Sequence, residues 1–385
     1  MGAYGDGPKG FKFYGGHVGI KKRKKDFGLI VADELCHAAA VFTKNTFCGE
    51  CIPIGKENIK DGQLQAIVVT SGIANVATGE IGRQNEYKIM HQLSKKLDIE
   101  ATNILPSSTG LIGPQLPIKT IEDFLSNQPI KLTKKYEDFA QAILTTDKRT
   151  KVRTVKIGEA TMLGIVKGSG MIEPNMATML AYVLTDAKVS KETIYPMLKE
   201  AVDQSFNTIS IDSDTSTSDT VAFLANGHYE VKEEQIQAAL NQLCKELALD
   251  VVKDAEGATK TMFVTVKQAT SKEQARFGAK SVINSPLVKT ALFGHDPNWG
   301  RIIMALGKTQ GLIFDQDKIN ISYGDLPIFS NNQEVKQNLP LIEQYIKNNE
   351  DVYLTIDLQQ GTESFQAIGC DLSYEYVKIN SDYAT

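Results

Sequence analysis

The sequence predicts an α/β fold of the α+β type, with helices layered on mixed sheets and a smaller α+β unit at the C-terminal end. Short β-rich runs with apolar alternation recur along the chain, and stretches with helical apolar spacing interrupt them. From about residue 270 the same mixture repeats on a smaller scale, which sets off 271–385 as a separate unit. A length of 385 residues is ample for such a two-part core.

In chain order, strands are expected at 27–31, 39–43 and 65–70, separated by Gly, Asp and Asn. Residues 80–97 bring Ile81, Tyr87, Met90 and Leu93 near one helical face, and helices are expected at 121–125 and 136–144. Between them, 105–114 reads as a small, polar loop stiffened by Pro106 and Pro114. Strands at 155–157 and 162–166 lead into Gly168-Ser169-Gly170, and after Pro174 the apolar run 179–184 reads as a buried strand. Helices at 191–205 and 232–253 bracket a β-rich stretch at 220–224; the tail carries strands at 319–321 and 353–356 and a helix at 339–347.

Composition excludes several classes of function. A net charge of −4 provides no field to hold nucleic acid or anionic lipid, and no apolar run is long enough for a membrane span. The one basic run, Lys21-Lys22-Arg23-Lys24-Lys25, reads as a solvated turn. Five cysteines, Cys36, Cys48, Cys51, Cys244 and Cys370, form no disulfide framework and read as free thiols of a reducing compartment, so a cytoplasmic protein is expected. The five histidines never occur as an i, i+4 pair, and no metal is expected. Residues 212–219 carry three aspartates, yet Thr217 and Phe223 stand where a calcium loop needs glycine and glutamate. Gly168-Ser169-Gly170 matches neither the dinucleotide nor the Walker pattern, and no Gly-x-Ser-x-Gly elbow occurs.

One candidate nucleophile remains. Thr178 follows a Gly-rich stretch and Pro174 and directly precedes the apolar strand. A threonine hydroxyl needs a base within hydrogen-bond reach, and the α-amine of an N-terminal threonine supplies one. Its pKa of about 7.7–8.0 leaves a useful neutral fraction at pH 7. An internal threonine lacks that amine, so cutting the Ala177–Thr178 bond would be the activating event. From the residues alone, a threonine at the start of a buried strand is usually only a β-branched filler, so the catalytic reading needs further support.

The segment Lys167-Gly168-Ser169-Gly170-Met171-Ile172-Glu173-Pro174-Asn175-Met176-Ala177-Thr178-Met179-Leu180 resembles the cleavage-site signature of the ornithine acetyltransferases, or glutamate N-acetyltransferases, of arginine biosynthesis. The resemblance continues through Ser108-Thr109-Gly110, Thr145-Thr146-Asp147, Asp214-Thr215-Ser216-Thr217, residues 256–260, residues 285–290 and Asp296-Pro297-Asn298-Trp299-Gly300-Arg301, and so spans nearly the whole chain. It implies the fold shared by DmpA and the ornithine acetyltransferases. It also implies self-cleavage into an α-chain, 1–177, and a β-chain whose first part, 178–270, completes the catalytic unit. Thr178 would then carry an acetyl group from N-acetylornithine to glutamate in a ping-pong cycle.

By the same resemblance, Thr109 and Gly110 form the oxyanion hole, and Thr145, Lys167, Thr178, Glu256, Asn380 and Thr385 contact substrate. No cofactor is implied, acetyl-CoA being a co-substrate only in a bifunctional enzyme; the expected partners are amino-acid substrates, with α and β chains assembling into an oligomer of αβ units. The sequence departs from the family pattern at Thr70, Ile73 and Ala77, where Asn, Asn and Cys are usual, and at Ser213 and Ser218, which replace a Gly and an Asn; Lys148-Arg149 replaces a Thr-containing continuation. A different amino-acid or acyl substrate, an N-terminal-nucleophile amidase or peptidase, and an uncleaved amino-acid-binding protein are the alternatives these departures leave open.

Overall fold

The computed structural model describes residues 6–173 and 179–382. Thr178, Ala177 and Thr385 lie outside the described residues. The chain divides into two compact units, residues 1–207 with 215–251, and residues 208–214 with 252–384.

The first unit is built on a mixed sheet. Its strands are β1 (Phe11–Gly16), β2 (Phe27–Phe42), β3 (Gln63–Ile73), β4 (Ile104–Leu111), β5 (Lys151–Ile157), β6 (Ala160–Lys167), β7 (Leu180–Ala187) and β8 (Thr220–Tyr229). Their order is β4-β3-β2-β8-β7-β6-β5, with β1 also on β2; β3–β4 and β7–β8 are parallel and the other neighbours antiparallel. Helices α1 (Cys51–Asn58), α2 (Gly79–Leu97), α3 (Ile118–Asn127), α4 (Glu137–Ala142), α5 (Ile194–Asp203) and α6 (Glu233–Lys253) complete it. The runs expected at 27–31 and 39–43 are one strand, β2, whose pairing with β3 shifts register between Val31 and Cys36. Alternation explains its burial on both faces: Phe27, Leu29 and Val31 pack with Ile89, Met90 and Leu93 of α2, while Ile30 and Ala32 join Phe139 and Tyr182 in another cluster.

Three expectations need correction. Residues 104–111 are a strand rather than a loop, with Ala66 paired to Ile104 and Thr70 to Ser108. Pro106 fits because β4 ends the sheet order, and an edge strand does not need every N–H. Helix α2 turns a different face inward: Ile81 and Tyr87 are exposed, whereas Gly82, Asn85, Glu86, Ile89, Met90 and Leu93 are buried. The basic run is solvated only at its middle. Lys21 turns inward, with Nζ donating to Ser71 Oγ at 2.6 Å and to the Leu144 carbonyl at 2.6 Å.

The second unit has the sheet order β12-β11-β10-β13-β9-β14, from β9 (Thr261–Ala269), β10 (Asn320–Tyr323), β11 (Leu326–Ser330), β12 (Gln333–Glu334), β13 (Asp351–Asp357) and β14 (Glu363–Cys370). Helices α7 (Lys272–Ile283), α8 (Pro286–Phe293), α9 (Trp299–Gly307), α10 (Leu339–Asn348) and α11 (Tyr374–Asp382) accompany it. Residues 208–214 belong here because Ser210 N donates to the Ile368 carbonyl at 2.9 Å and Lys289 Nζ to the Ile211 carbonyl at 2.7 Å. The observed division at 251/252 precedes the expected boundary at 270/271, since β9 lies inside this second sheet.

Candidate active site

The C-terminal end of β4 carries Thr109 and Gly110 beside the end of β3. Gly72 pairs with Gly110, and the register then breaks, so that Ile73 faces both Thr109 and Leu111. Gly110 has φ +128°, and a Cβ there would fall 2.3 Å from the Gly72 carbonyl carbon. Only glycine allows the strands this approach. Thr109 itself is buried.

Lys167 ends β6. Its Nζ lies 3.4 Å from Thr145 Oγ1, so two residues expected at the site meet. Asp147, a group the sequence reading passed over, organises them: one carboxylate oxygen accepts the Thr145 N–H at 3.1 Å, the other the Gly168 N–H at 2.7 Å and Lys151 Nζ at 2.6 Å. Burial alone would raise this carboxyl, but the Lys151 and Lys167 charges and these hydrogen bonds hold it down at about 2.

Thr109 and Lys167 line one recess, with Met171, Ile172, Met179, Ser216 and Asp219 among the other walls. The two described flanks of residues 174–178 therefore both reach it. Ile172 bridges to Thr215, and Thr215 Oγ1 donates to the Glu173 carbonyl at 2.9 Å. Asp219, a second acid the sequence reading missed as a site residue, is fully buried there; burial pushes its carboxyl well above the usual range despite the hydrogen bond from Ser216 and the nearby Lys167 charge. Its only sequence signal is its place in the acidic Ser/Thr-rich segment weighed as a calcium loop. Lys21, beside β3, is pushed down to about 8 by burial.

In the second unit, Glu256 and Asn380 meet: Asn380 Nδ2 donates to Glu256 Oε2 at 2.8 Å, and Glu256 is buried. Gly257 has φ +69°, and a Cβ there would lie 2.4 Å from the Tyr376 nitrogen, which fits α11 closely beside Glu256. Burial pushes the Cys36 and Cys244 thiols up to about 12, out of reach of ordinary redox chemistry. Among the described residues no group of three or more His, Cys, Asp or Glu is placed to hold a metal ion, and no helix is long and apolar enough to cross a membrane.

The ArgJ family model matches residues 12–385. The chain is similar to the arginine biosynthesis bifunctional protein ArgJ 2 of Clostridium acetobutylicum, at 51% identity over 378 residues, covering 98% of this chain and 97% of the relative. It is also similar to the arginine biosynthesis bifunctional protein ArgJ of Staphylococcus epidermidis, at 42% identity, covering 98% of both chains. Among solved structures, that of arginine biosynthesis bifunctional protein ArgJ from Bacillus halodurans aligns with a TM-score of 0.50 and 33% identity, over 54% of this chain and all of that one. Similarity of this extent across both units is that of a common family, and the chain belongs to the ArgJ family.

Proposed function

We propose that the protein is a precursor that cuts itself between Ala177 and Thr178, and that Thr178 then carries an acetyl group from N-acetylornithine to glutamate. The observation that supports this most is the recess shared by Thr109 and Lys167, whose walls include Ile172 and Met179 on either side of the proposed cleavage site. In this reading the Thr178 hydroxyl attacks the acetyl carbonyl and its own α-amine takes the proton. The Thr109 hydroxyl and the Gly110 N–H stabilise the oxyanion, ornithine departs, and the glutamate amine attacks the acetyl ester in the return half.

Lys167 supplies a positive charge for the α-carboxylate common to both amino acids, while Asp147, accepting from the Thr145 and Gly168 N–H groups, keeps both in place. Glu256, hydrogen-bonded by Asn380, is carried by resemblance as the contact for the side-chain ammonium of ornithine. Thr385 is carried as a further substrate contact by resemblance. Acetyl-CoA enters this reading as a co-substrate only if the enzyme is bifunctional, as the relatives are named.

Intact mass of the purified protein tests the first step. Sharing 42.3 kDa by length gives fragments of roughly 19 and 23 kDa. A single uncut chain with full transferase activity overturns the mechanism, as does a Thr178→Ala variant that remains processed and active. Acetyl transfer to glutamate, measured against release of free acetate, separates a transferase from an amidase.

A further inference from the structure

A chain of buried polar side chains runs beneath the end of β4. Glu86 of α2 takes two hydrogen bonds on one oxygen, from Ser108 Oγ at 2.8 Å and from Asn75 Nδ2 at 3.0 Å. Ser108 Oγ lies 2.9 Å from Thr70 Oγ1, and Thr78 Oγ1 donates to Asn75 Oδ1 at 2.7 Å. All five residues are buried. A serine has one hydroxyl proton; with that proton on Glu86, Ser108 accepts from Thr70, so the chain has a single direction, from Thr70 through Ser108 to Glu86.

Ser108 immediately precedes Thr109 and Gly110. The strand beyond it has no slack, because Gly110 lies directly against Gly72 where the β3–β4 register breaks. The Ser108 anchor therefore passes straight to the Thr109 hydroxyl and the Gly110 N–H. A helix surface that buries a glutamate would ordinarily carry an apolar residue there, as Ile89, Met90 and Leu93 do one and two turns later.

We propose that Glu86 is a positioning residue for acyl transfer, its carboxyl holding Ser108 and thereby the two oxyanion donors, Thr109 and Gly110, in register for the reacting carbonyl. This rests on the reading of those two residues as oxyanion donors. The work done by Glu86 is that of an acceptor. Both hydrogen bonds arrive at one oxygen, so an amide oxygen of the same length can take the role over; burial, against the pull of the Asn75 and Ser108 hydrogen bonds, raises the carboxyl from its ordinary value.

The test uses the processed enzyme, with kcat expressed per cleaved chain, N-acetylornithine as donor and glutamate as acceptor. Glu86→Leu and Ser108→Ala each lower kcat by about 10- to 100-fold with KM changed by less than about threefold, a partial loss of the roughly 100- to 1000-fold that a missing oxyanion donor costs. Glu86→Gln recovers kcat to within about threefold of the parent. On a Thr109→Ala background, Glu86→Leu lowers kcat by a smaller factor than in the parent, because one of the two donors it positions is already gone and only the Gly110 N–H remains to be displaced. Should Glu86→Leu fail to fold, Ser108→Ala and the Gln variant carry the comparison.

Full kcat in both Glu86→Leu and Ser108→Ala, a loss expressed only in KM, or an undiminished effect on the Thr109→Ala background overturns the positioning role while leaving the donors in place. Full kcat in Thr109→Ala alone removes the donor reading itself, and the role of Glu86 with it.

Discussion

Replacing Gly110 by alanine tests the close approach of β3 and β4 with a single methyl group. The added Cβ would stand 2.3 Å from the Gly72 carbonyl carbon and 2.5 Å from its oxygen, both backbone atoms with no rotamer to relieve them. Ordinary contact begins near 3.4 Å, so one strand end must move by about 1 Å. To that is added a φ of +128°, which an L side chain adopts only under strain. Strain of about 1–3 kcal/mol and overpacking of similar size together give about 2–6 kcal/mol, a fall in Tm of roughly 5–20 °C.

A displacement of about 1 Å at a catalytic group also lowers kcat by about 100-fold. Gly113→Ala is the control: its φ of +104° carries comparable strain, but a Cβ there meets nothing within 4 Å. The assay is thermal unfolding with steady-state acetyl transfer on both variants. Gly110→Ala with kcat within about threefold of the parent, or Gly113→Ala with the same loss, refutes the view that this contact sets the oxyanion geometry.

Other outcomes follow from the Asp147 and Lys167 cluster. The folded value of about 2 for Asp147 lies below the ordinary 3.8, so its contribution to stability is full above about pH 4 and is lost as pH falls from 4 toward 2. That contribution is about 2 kcal/mol, read as the flattening of urea midpoints between pH 4 and 2 in Asp147→Asn relative to the parent. At pH 7, Asp147→Ala removes the carboxylate paired with the buried Lys151 and lowers stability by about 3–5 kcal/mol in urea unfolding; a loss under 1 kcal/mol contradicts the buried pair. Lys167→Met raises KM for glutamate by about 10- to 100-fold at unchanged processing, checked by initial rates across glutamate concentration.

The strands β3 and β7 were legible from their β-rich and apolar runs, whereas β2 showed as two separate runs because the polar stretch around Asp33–His37 breaks its pattern. Pro106 and the small residues after it disguised β4, because the pattern alone does not reveal that a proline-bearing strand sits at a sheet edge. Helix α2 was legible as a helix but not in its orientation: apolar spacing favoured Ile81 and Tyr87, while the structure buries Asn85 and Glu86, the latter with partners 11 positions away and on β4. Glu256 and Asn380 lie 124 positions apart, so only the resemblance joined them before the structure did. Several of the motifs that carried the resemblance are helix starts. Ser285 accepts the Val288 N–H, Asn298 accepts the Arg301 N–H, and Pro286 occupies the first turn of α8.

The departures at Thr70, Ile73 and Ala77 bear on which molecule the enzyme acylates, and their positions decide the expectation. Thr70 is buried, with its hydroxyl on Ser108; Ile73 is packed against the cluster that holds Phe27 and Ile89; Ala77 is exposed at φ +59°. None of the three is among the walls of the recess that holds Thr109 and Lys167. Of the three, Thr70 bears on the support of the strand proposed to carry the oxyanion donors, through its hydroxyl on Ser108. An altered support changes kcat for every donor and acceptor alike, whereas an altered surface changes their ranking. A panel of N-acyl amino acids and amine acceptors therefore retains N-acetylornithine and glutamate as the best pair in kcat/KM. Restoring Asn at position 70 shifts all members of the panel by a common factor. A reordered ranking after Thr70→Asn, or a better pair of a different amino acid, places the determinant of specificity in this segment after all.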